Sequence, residues 1–589
     1  MRQIVASALY VQNWALAHDA EDYFASSNSP SPVTHYWSLS LEEQFYLLWP
    51  VLAVVAYVVG RRLGRPRTAL ALAFGAVVVA SLGYSIWETA RLPHAAYFVT
   101  PARMWQLGLG GLLAMLPAAV RARSEAVRHA GAAAGWLLVF GSIALFTESS
   151  PVPGWIALIP VLGAALVIFC GDAFVAASPA VLQVPVRVSA WIGGISYSLY
   201  LWHWPLIVLT PYATGRPLTP ATKLVVLAAA VLCAWLSARL VEDPVRRLRW
   251  LTAGKARRTL VPALAGMLVV VGFGQLSTAG VDARLHRVAA AVDNAVADGD
   301  RCFGARAIGN DCASPHLLRY RDAPLLRMSN YSTGGPSWGN SCQQNPTDSA
   351  VVACQYGVPA EDATLRIAVV GDSHARHWTG ALDELAVRRR WNITLMAKSS
   401  CTVTAAAVSA AWDPTIADSC HAWLRRVIPR VARDPDIDVV VTSAISRSYL
   451  LPGVPRREQL RRQIAGYRQV WRRWTRAGKR VVAIGDVPAM GLGDIPTCVA
   501  EAGSFDDPCT TPVATALRAD PLLRAARGAH DADIVPVGLH RYFCDRRRCH
   551  SVIGGVVAYG DGSHMLAFFS RTLAPYLLAQ MRPALRDER

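Results

Sequence analysis

Eight apolar runs crowd the first 276 residues of this 589-residue chain: 41–60, 68–87, 104–120, 130–146, 155–170, 190–210, 221–241 and 259–276. A helix of about 20 apolar residues crosses a bilayer, and most of these runs approach that length. A short run taken singly fits a buried half-helix. Eight in one half-chain exceed what the core of a soluble domain holds. Since 17% of all residues are charged, the apolar ones are concentrated here. The chain therefore divides into a multi-pass membrane domain of about eight spans over 1–276 and a polar remainder.

Basic residues orient the spans. Arg61, Arg62, Arg65 and Arg67 follow the first run, and Arg121, Arg123 and Arg128 follow the third. Arg246, Arg247, Arg249, Lys255, Arg257 and Arg258 follow the seventh. The alternate loops 26–35, 88–101, 148–154 and 211–220 are poor in Lys and Arg. Only the weakly charged 172–189 connection departs from the positive-inside rule. The rule sends everything after Gln275 out of the cytoplasm, as in a bacterial inner-membrane protein with a periplasmic or extracytoplasmic C-terminal domain. The net charge of +18 is then partly a topology signal, and the rest reads as spread widely. Runs such as 388–390 and 546–548 read as solvated faces. No basic–aromatic patch or nucleic-acid motif is present, which argues against a nucleic-acid partner. Residues 1–17 are only partly apolar and lack a cleavage site, so they do not read as a signal peptide.

Cysteine usage agrees with this placement. Cys170 and Cys233 lie in apolar runs and read as small buried hydrophobes. The other ten fall after residue 300 as neighbours: Cys302 with Cys312, Cys342 with Cys354, Cys401 with Cys420, Cys498 with Cys509, and Cys544 with Cys549. An even count in an oxidising compartment implies disulfides. Pairing of neighbours is the expectation, although sequence does not fix connectivity. Zinc at Cys544, Cys549 and His550 is the alternative, and it lacks a second Cys-x-x-Cys or His pair to complete it. No bound metal is expected.

Residues 277–361 are irregular, with four cysteines, and read as a linker and cap. From 362 to 589, strands over 365–370, 437–443 and 480–484 alternate with helical patterns such as 457–477, which predicts an α/β domain around a parallel sheet. Ser373 follows the first strand, at the sheet edge where α/β folds gather ligands. Its N–H and the helix dipole would face a developing oxyanion. Serine needs a base, and His564 is the candidate, with Asp561 three residues earlier to hold the imidazole tautomer. Without catalysis, each tetrapeptide would be a turn or a helix cap.

Gly371-Asp372-Ser373-His374 with Asp561-x-x-His564 resembles the SGNH hydrolase/transferase family. That resemblance implies a flavodoxin-like three-layer sandwich with Ser373 as nucleophile, His564 as general base and Asp561 as its partner. The family's Gly and Asn oxyanion donors have no counterpart in Thr442-Ser443-Ala444-Ile445-Ser446-Arg447. Ser373 and Arg447 remain the oxyanion candidates.

The first half resembles the membrane-bound acyltransferase-3 family in its version fused to an SGNH domain. The matching strings are His35-Tyr36-Trp37-Ser38-Leu39-Ser40-Leu41-Glu42-Glu43-Gln44-Phe45-Tyr46, then Arg103 with Gly108 and Gly110. Ile195-Ser196-Tyr197-Ser198-Leu199-Tyr200-Leu201-Trp202-His203-Trp204-Pro205 and Val241-Glu242-Asp243-Pro244 complete them. The resemblance makes His35, Trp37, Ser38, Glu42, Arg103, Ser196, Tyr197 and His203 the membrane-domain candidates. Ionisable groups near span ends are costly in lipid and face a cavity or pair. The plainer alternative is an aromatic interfacial belt, with Glu42 as a helix cap.

The family's activity implies an O-acyltransferase that takes an acyl group, commonly acetyl, from cytoplasmic acyl-CoA. Acyl-CoA, and acetyl-CoA first, is thus the donor substrate, with no bound cofactor. The acceptor would be a hydroxyl of an extracytoplasmic glycan: O-antigen, capsule, exopolysaccharide or peptidoglycan. The family's membrane domain begins with further spans, the first bearing an Arg and a His, so this chain reads as N-terminally truncated relative to it. A membrane-tethered esterase and a glycan-binding remnant are the alternatives.

Overall fold

The computed structural model describes every residue except 1, 22–30, 117–124, 148–149, 177–179, 215–217, 253–254, 320–341, 408–413, 447–452, 492, 503–505 and 586–589. The chain forms two compact units, Met1–Ala279 and Gly280–Arg589.

The first unit is helical. Among the described residues, five helices are long and apolar enough to cross a membrane: Tyr36–Arg62, Pro66–Arg91, Glu125–Leu145, Pro220–Arg247 and Arg257–Ala297. Met104–Ala114 and Trp155–Cys170 are shorter apolar helices. The predicted 190–210 run is not one helix. Ala180–Gly194 ends at a Gly-Gly pair, and Ser196–Thr214 begins after Ile195. Two successive glycines carry the highest backbone-entropy cost of any helical pair, which places the break there. The predicted 221–241 run holds Pro220–Ser237 and then a π-turn, Ala238–Glu242.

The predicted linker at 277 is also displaced. The last apolar run continues as one 41-residue helix, Arg257–Ala297. Its distal residues Leu285, Ala289, Val292 and Val296 enter the core of the second unit. Their spacing sets them on one helical face. The described residues of 281–319 and 342–361 therefore supply core and sheet edge rather than a separate cap.

Among the described residues, seven strands build the main sheet of the second unit: β1 Gln343–Gln344, β2 Cys354–Gly357, β3 Leu365–Gly371, β4 Trp391–Lys398, β5 Val439–Ser443, β6 Arg480–Ile484 and β7 Ile534–Val537. Their order is β1-β4-β3-β5-β6-β7, with β2 also against β4. All neighbours are parallel except β2 on β4, so the sheet is mixed at one edge. Strand alternation divides the core in two. Ile367 and Val369 face one layer, with helices Thr379–Arg389, Ala567–Thr572 and Ala574–Met581. Ala368 and Val370 face the other, with Trp423, Trp471 and Leu522 from helices Pro414–Arg433, Arg456–Thr475 and Pro521–Arg527.

The pattern of residues did not announce β4 because Asn392, Thr394 and Lys398 interrupt it. Lys398 is fully buried, and its ammonium donates to the carbonyls of Asn345, Pro346 and Asp348. A buried charge is tolerated when its donors are satisfied. Disulfides join Cys302–Cys312, Cys342–Cys354, Cys401–Cys420, Cys498–Cys509 and Cys544–Cys549. The last of these removes both thiolates that a zinc site at His550 would need.

Candidate active site

Strand β3 ends at Gly371, and the chain turns at once into the short helix Ser373–Arg376. Gly371 is required by close approach. A Cβ there would stand 2.5 Å from the Ala375 Cβ and 2.5 Å from the Ser443 carbonyl oxygen. Asp372 caps the helix, its Oδ1 accepting from the His374 N–H at 2.8 Å. Its Oδ2 accepts from the Ile445 N–H at 3.0 Å, which ties the turn to the end of β5. Ser373 is thereby fixed at the C-terminal edge of the sheet.

At the far end of the chain, Asp561 closes a tight turn. Its Oδ1 accepts from the N–H groups of Ser563 and His564, each at 2.7 Å. Its Oδ2 lies 2.6 Å from His564 Nδ1, and His564 Nε2 lies 2.8 Å from Ser373 Oγ. The relay thus runs carboxylate, imidazole, hydroxyl. Burial alone would raise the Asp561 carboxyl. The charge and hydrogen bond of His564 and the two backbone N–H groups outweigh burial and hold it well below the usual carboxylate range. An ionised Asp561 selects the tautomer whose Nε2 accepts the serine proton.

A second histidine–aspartate pair lies beneath the first. His374 Nδ1 is 2.6 Å from Asp486 Oδ1, with both side chains buried. The His374 ring centroid is 4.6 Å from that of His564 and 5.0 Å from that of His377. Asp486 Oδ2 accepts from the Ser446 N–H at 2.7 Å. The backbone donors of Ile445 and Ser446, at the end of β5, are therefore already engaged by Asp372 and Asp486. Among the described residues the Ser373 N–H has no such partner. Arg447 lies outside the described residues. Asp486 escaped sequence reading because it sits 112 residues from His374; its signal was the Gly485-Asp486-Val487-Pro488 segment directly after a strand.

In the membrane unit the structure gathers part of the candidate set. His35 is buried, with ring centroids 5.1 Å from Tyr200 and 5.6 Å from His203. Ser38 Oγ is 2.5 Å from Tyr200 Oη, and Tyr200 Oη donates to the His35 carbonyl. The Arg103 guanidinium lies 5.5 Å from the Trp37 ring centroid and 4.4 Å from that of Tyr97. Glu42 stands half-buried further along the helix of Trp37. Ser196 and Tyr197, in contrast, are exposed. Helical phase turns their neighbours inward instead: Ser198 donates to Glu242 Oε2 at 2.9 Å, and Tyr200 joins the His35 cluster. Sequence reading also missed an amide network. Asn13 Nδ2 donates to Thr100 Oγ1 at 2.9 Å, and Gln44 Nε2 donates to Asn13 Oδ1 at 3.0 Å. Such closed networks satisfy polar groups between helices where lipid cannot.

Residues 341–579 match the family model described as an SGNH domain fused to acyltransferase-3 domains, and residues 4–239 match that of an acyltransferase domain. The peptidoglycan O-acetyltransferase of Listeria monocytogenes is 29% identical over 258 residues, 41% of this chain and 40% of that protein. A Komagataeibacter xylinus protein bearing the name of a membrane-bound transacylase is 30% identical over 279 residues, 45% of this chain and 65% of that protein. The chain thus spans less than two thirds of the length of these relatives. The solved periplasmic domain of a Salmonella ser. Paratyphi A lipopolysaccharide acetyltransferase aligns at TM-score 0.29 and 13% identity, covering 38% of this chain and 85% of that one. A likeness that weak carries no argument.

Proposed function

We propose that this chain, which belongs to the membrane acyltransferases fused to an SGNH domain, transfers an acyl group to a hydroxyl of an extracytoplasmic polysaccharide. The unbroken relay from Asp561 through His564 to Ser373, at 2.6 and 2.8 Å, carries the reading. His564 Nε2 takes the Ser373 proton as Oγ attacks the acyl carbonyl carbon, and the departing group receives that proton. Ser373 then holds the acyl group as an ester. A glycan hydroxyl attacks the ester carbon, His564 takes its proton, and Ser373 Oγ leaves with it. The Ser373 N–H at the helix start is the available backbone donor for the oxyanion.

Acyl-CoA is the proposed source, with acetyl-CoA first. The membrane unit would present its acyl group to Ser373. The alternation of basic loops and the five disulfides favour a cell-membrane location with the second unit outside the cytoplasm. Hydrolysis is the second reading. The His564 and Asp561 side chains retain 22% and 27% of their exposure, so water reaches the relay.

Ser373→Ala in the full chain is expected to remove glycan acylation, a loss of about 10⁴-fold or more. Unchanged ester content of the envelope glycan in that strain overturns the role. Acetate released without acylated glycan would establish hydrolysis instead.

A further inference from the structure

The fold sorts the positive charge onto one side of the second unit. Helices Pro414–Arg433, Arg456–Thr475 and Pro521–Arg527 carry thirteen arginines and two carboxylates between them. All three pack on the same face of the sheet, around Trp423, Trp471 and Leu522. The opposite layer is formed by Thr379–Arg389, Ala567–Thr572, Ala574–Met581 and the part of Arg257–Ala297 from residue 280 onward. It carries five arginines against four carboxylates. The charge that reads as diffuse along the sequence is thus concentrated on one layer.

The arginines of this layer are available. All but Arg468 are exposed. Glu458 bridges Arg461 and Arg462, each at 2.8 Å. Arg425, Arg430, Arg433, Arg472 and Arg473 make no ion pair among the described residues. Arginine fills nearly every basic position of this chain, so its identity carries no information here. Its placement does. So many like charges on one layer repel one another, and a multivalent anion relieves that cost.

The layer also reaches the site. Strand β5 is parallel to β3 in the register Gly371 with Ser443. The chain leaves β5 at the edge that holds Ser373 and enters helix Arg456–Thr475 there. Arg456 and Arg457 therefore begin at the active edge, while Arg472 and Arg473 lie about 24 Å along the helix toward the opposite edge. An extended polymer fits such a track. A lipid surface fits it poorly, because peripheral membrane binding adds apolar anchors to charge. Among the described residues of the second unit, Leu317 and Val387 are the only exposed large apolar side chains, and neither lies on these helices.

We propose that this arginine layer docks a polyanionic polysaccharide, one bearing carboxylate or phosphate groups, and feeds it along the sheet face to Ser373. The proposal rests on the acyl-transfer reading for its purpose, but binding can be measured without it.

The full chain in phosphatidylcholine nanodiscs is titrated with polygalacturonate, with neutral dextran, and with phosphatidylglycerol vesicles. Polygalacturonate is expected to bind and to weaken steeply with salt, while dextran does not bind. The variant with Arg425, Arg430, Arg472 and Arg473 each replaced by Gln is expected to bind polygalacturonate about tenfold more weakly or worse at low salt. Replacing Arg284, Arg287, Arg388 and Arg389 by Gln removes equal charge from the opposite layer and is expected to change binding less than twofold. Equal binding by the wild type and the first variant overturns the proposal. So does tighter binding to the vesicles than to polygalacturonate. Fluorophosphonate labelling of Ser373 reads the triad separately. A wild type that labels but does not bind polygalacturonate rejects the docking layer alone, and absent labelling in the wild type rejects the acyl-transfer reading.

Discussion

Two imidazoles lie 4.6 Å apart at the heart of the second unit, and each has its own carboxylate. Their exposure separates their tasks. His564 keeps 22% of its side-chain surface and touches Ser373, whereas His374 keeps 1% and pairs with the buried Asp486. Asp561→Asn is expected to lower acyl transfer by about 10⁴-fold with the fold intact, since an amide favours the wrong tautomer; transfer assays beside circular dichroism check this. Asp486→Asn acts on stability instead. Burial alone would lower the His374 imidazole, but Asp486, Asp372 and Asp561 raise it above its ordinary 6.5. Burial alone would raise Asp486, but His374 and the Ser446 N–H hold it at about 2. The Asp486 contribution is thus present above about pH 4 and is lost as the pH falls toward 2. The His374 contribution is present below pH 6.5 and is lost as the pH rises through its raised value. Asp486→Asn is expected to cost about 3–5 kcal/mol at pH 5 and less at pH 9. Thermal melts at both values check it, and an equal loss at both would refute the charged pair.

At the scale of elements, the strand–turn–helix around Ser373 depends on one missing side chain. Gly371→Ala would press a methyl group against Ala375 and the Ser443 carbonyl. It is expected to slow fluorophosphonate labelling of Ser373 and to destabilise the fold by about 1–3 kcal/mol, measured by labelling rate and melting. The disulfides act on the unfolded chain. Replacing Cys401 and Cys420 with Ser opens a loop of separation 19, against 5 for Cys544 and Cys549. Loop entropy alone sets losses of about 3 and about 2 kcal/mol, in that order, which denaturant titration of the two variants compares. The strand β3 and its Gly-Asp-Ser turn were legible because the apolar run 367–370 leads straight into them. Strand β4 was not, because its buried Lys398 is satisfied by carbonyls from residues 345–348, a contact that exists only after folding.

For the whole molecule, compartment is written in the oxidation state of the cysteines. Alkylation of the unreduced protein is expected to modify Cys170 and Cys233 alone, and mass spectrometry finding more free thiols would contradict the extracytoplasmic placement. Apolar run length, basic-loop alternation and cysteine parity are local or additive properties, so the primary structure by itself determined the membrane half, the α/β half and the Ser373, Asp561 and His564 set. What the tertiary structure decided are relations between distant residues. It turned Ser198 and Tyr200 inward in place of Ser196 and Tyr197, because helix phase is set by packing and not by motif. It carried the last apolar helix into the core of the second unit. It set Asp486 beneath His374 and gathered scattered arginines onto one layer, since which helices share a sheet face follows from strand order, and strand order is long-range hydrogen bonding that no window of residues displays.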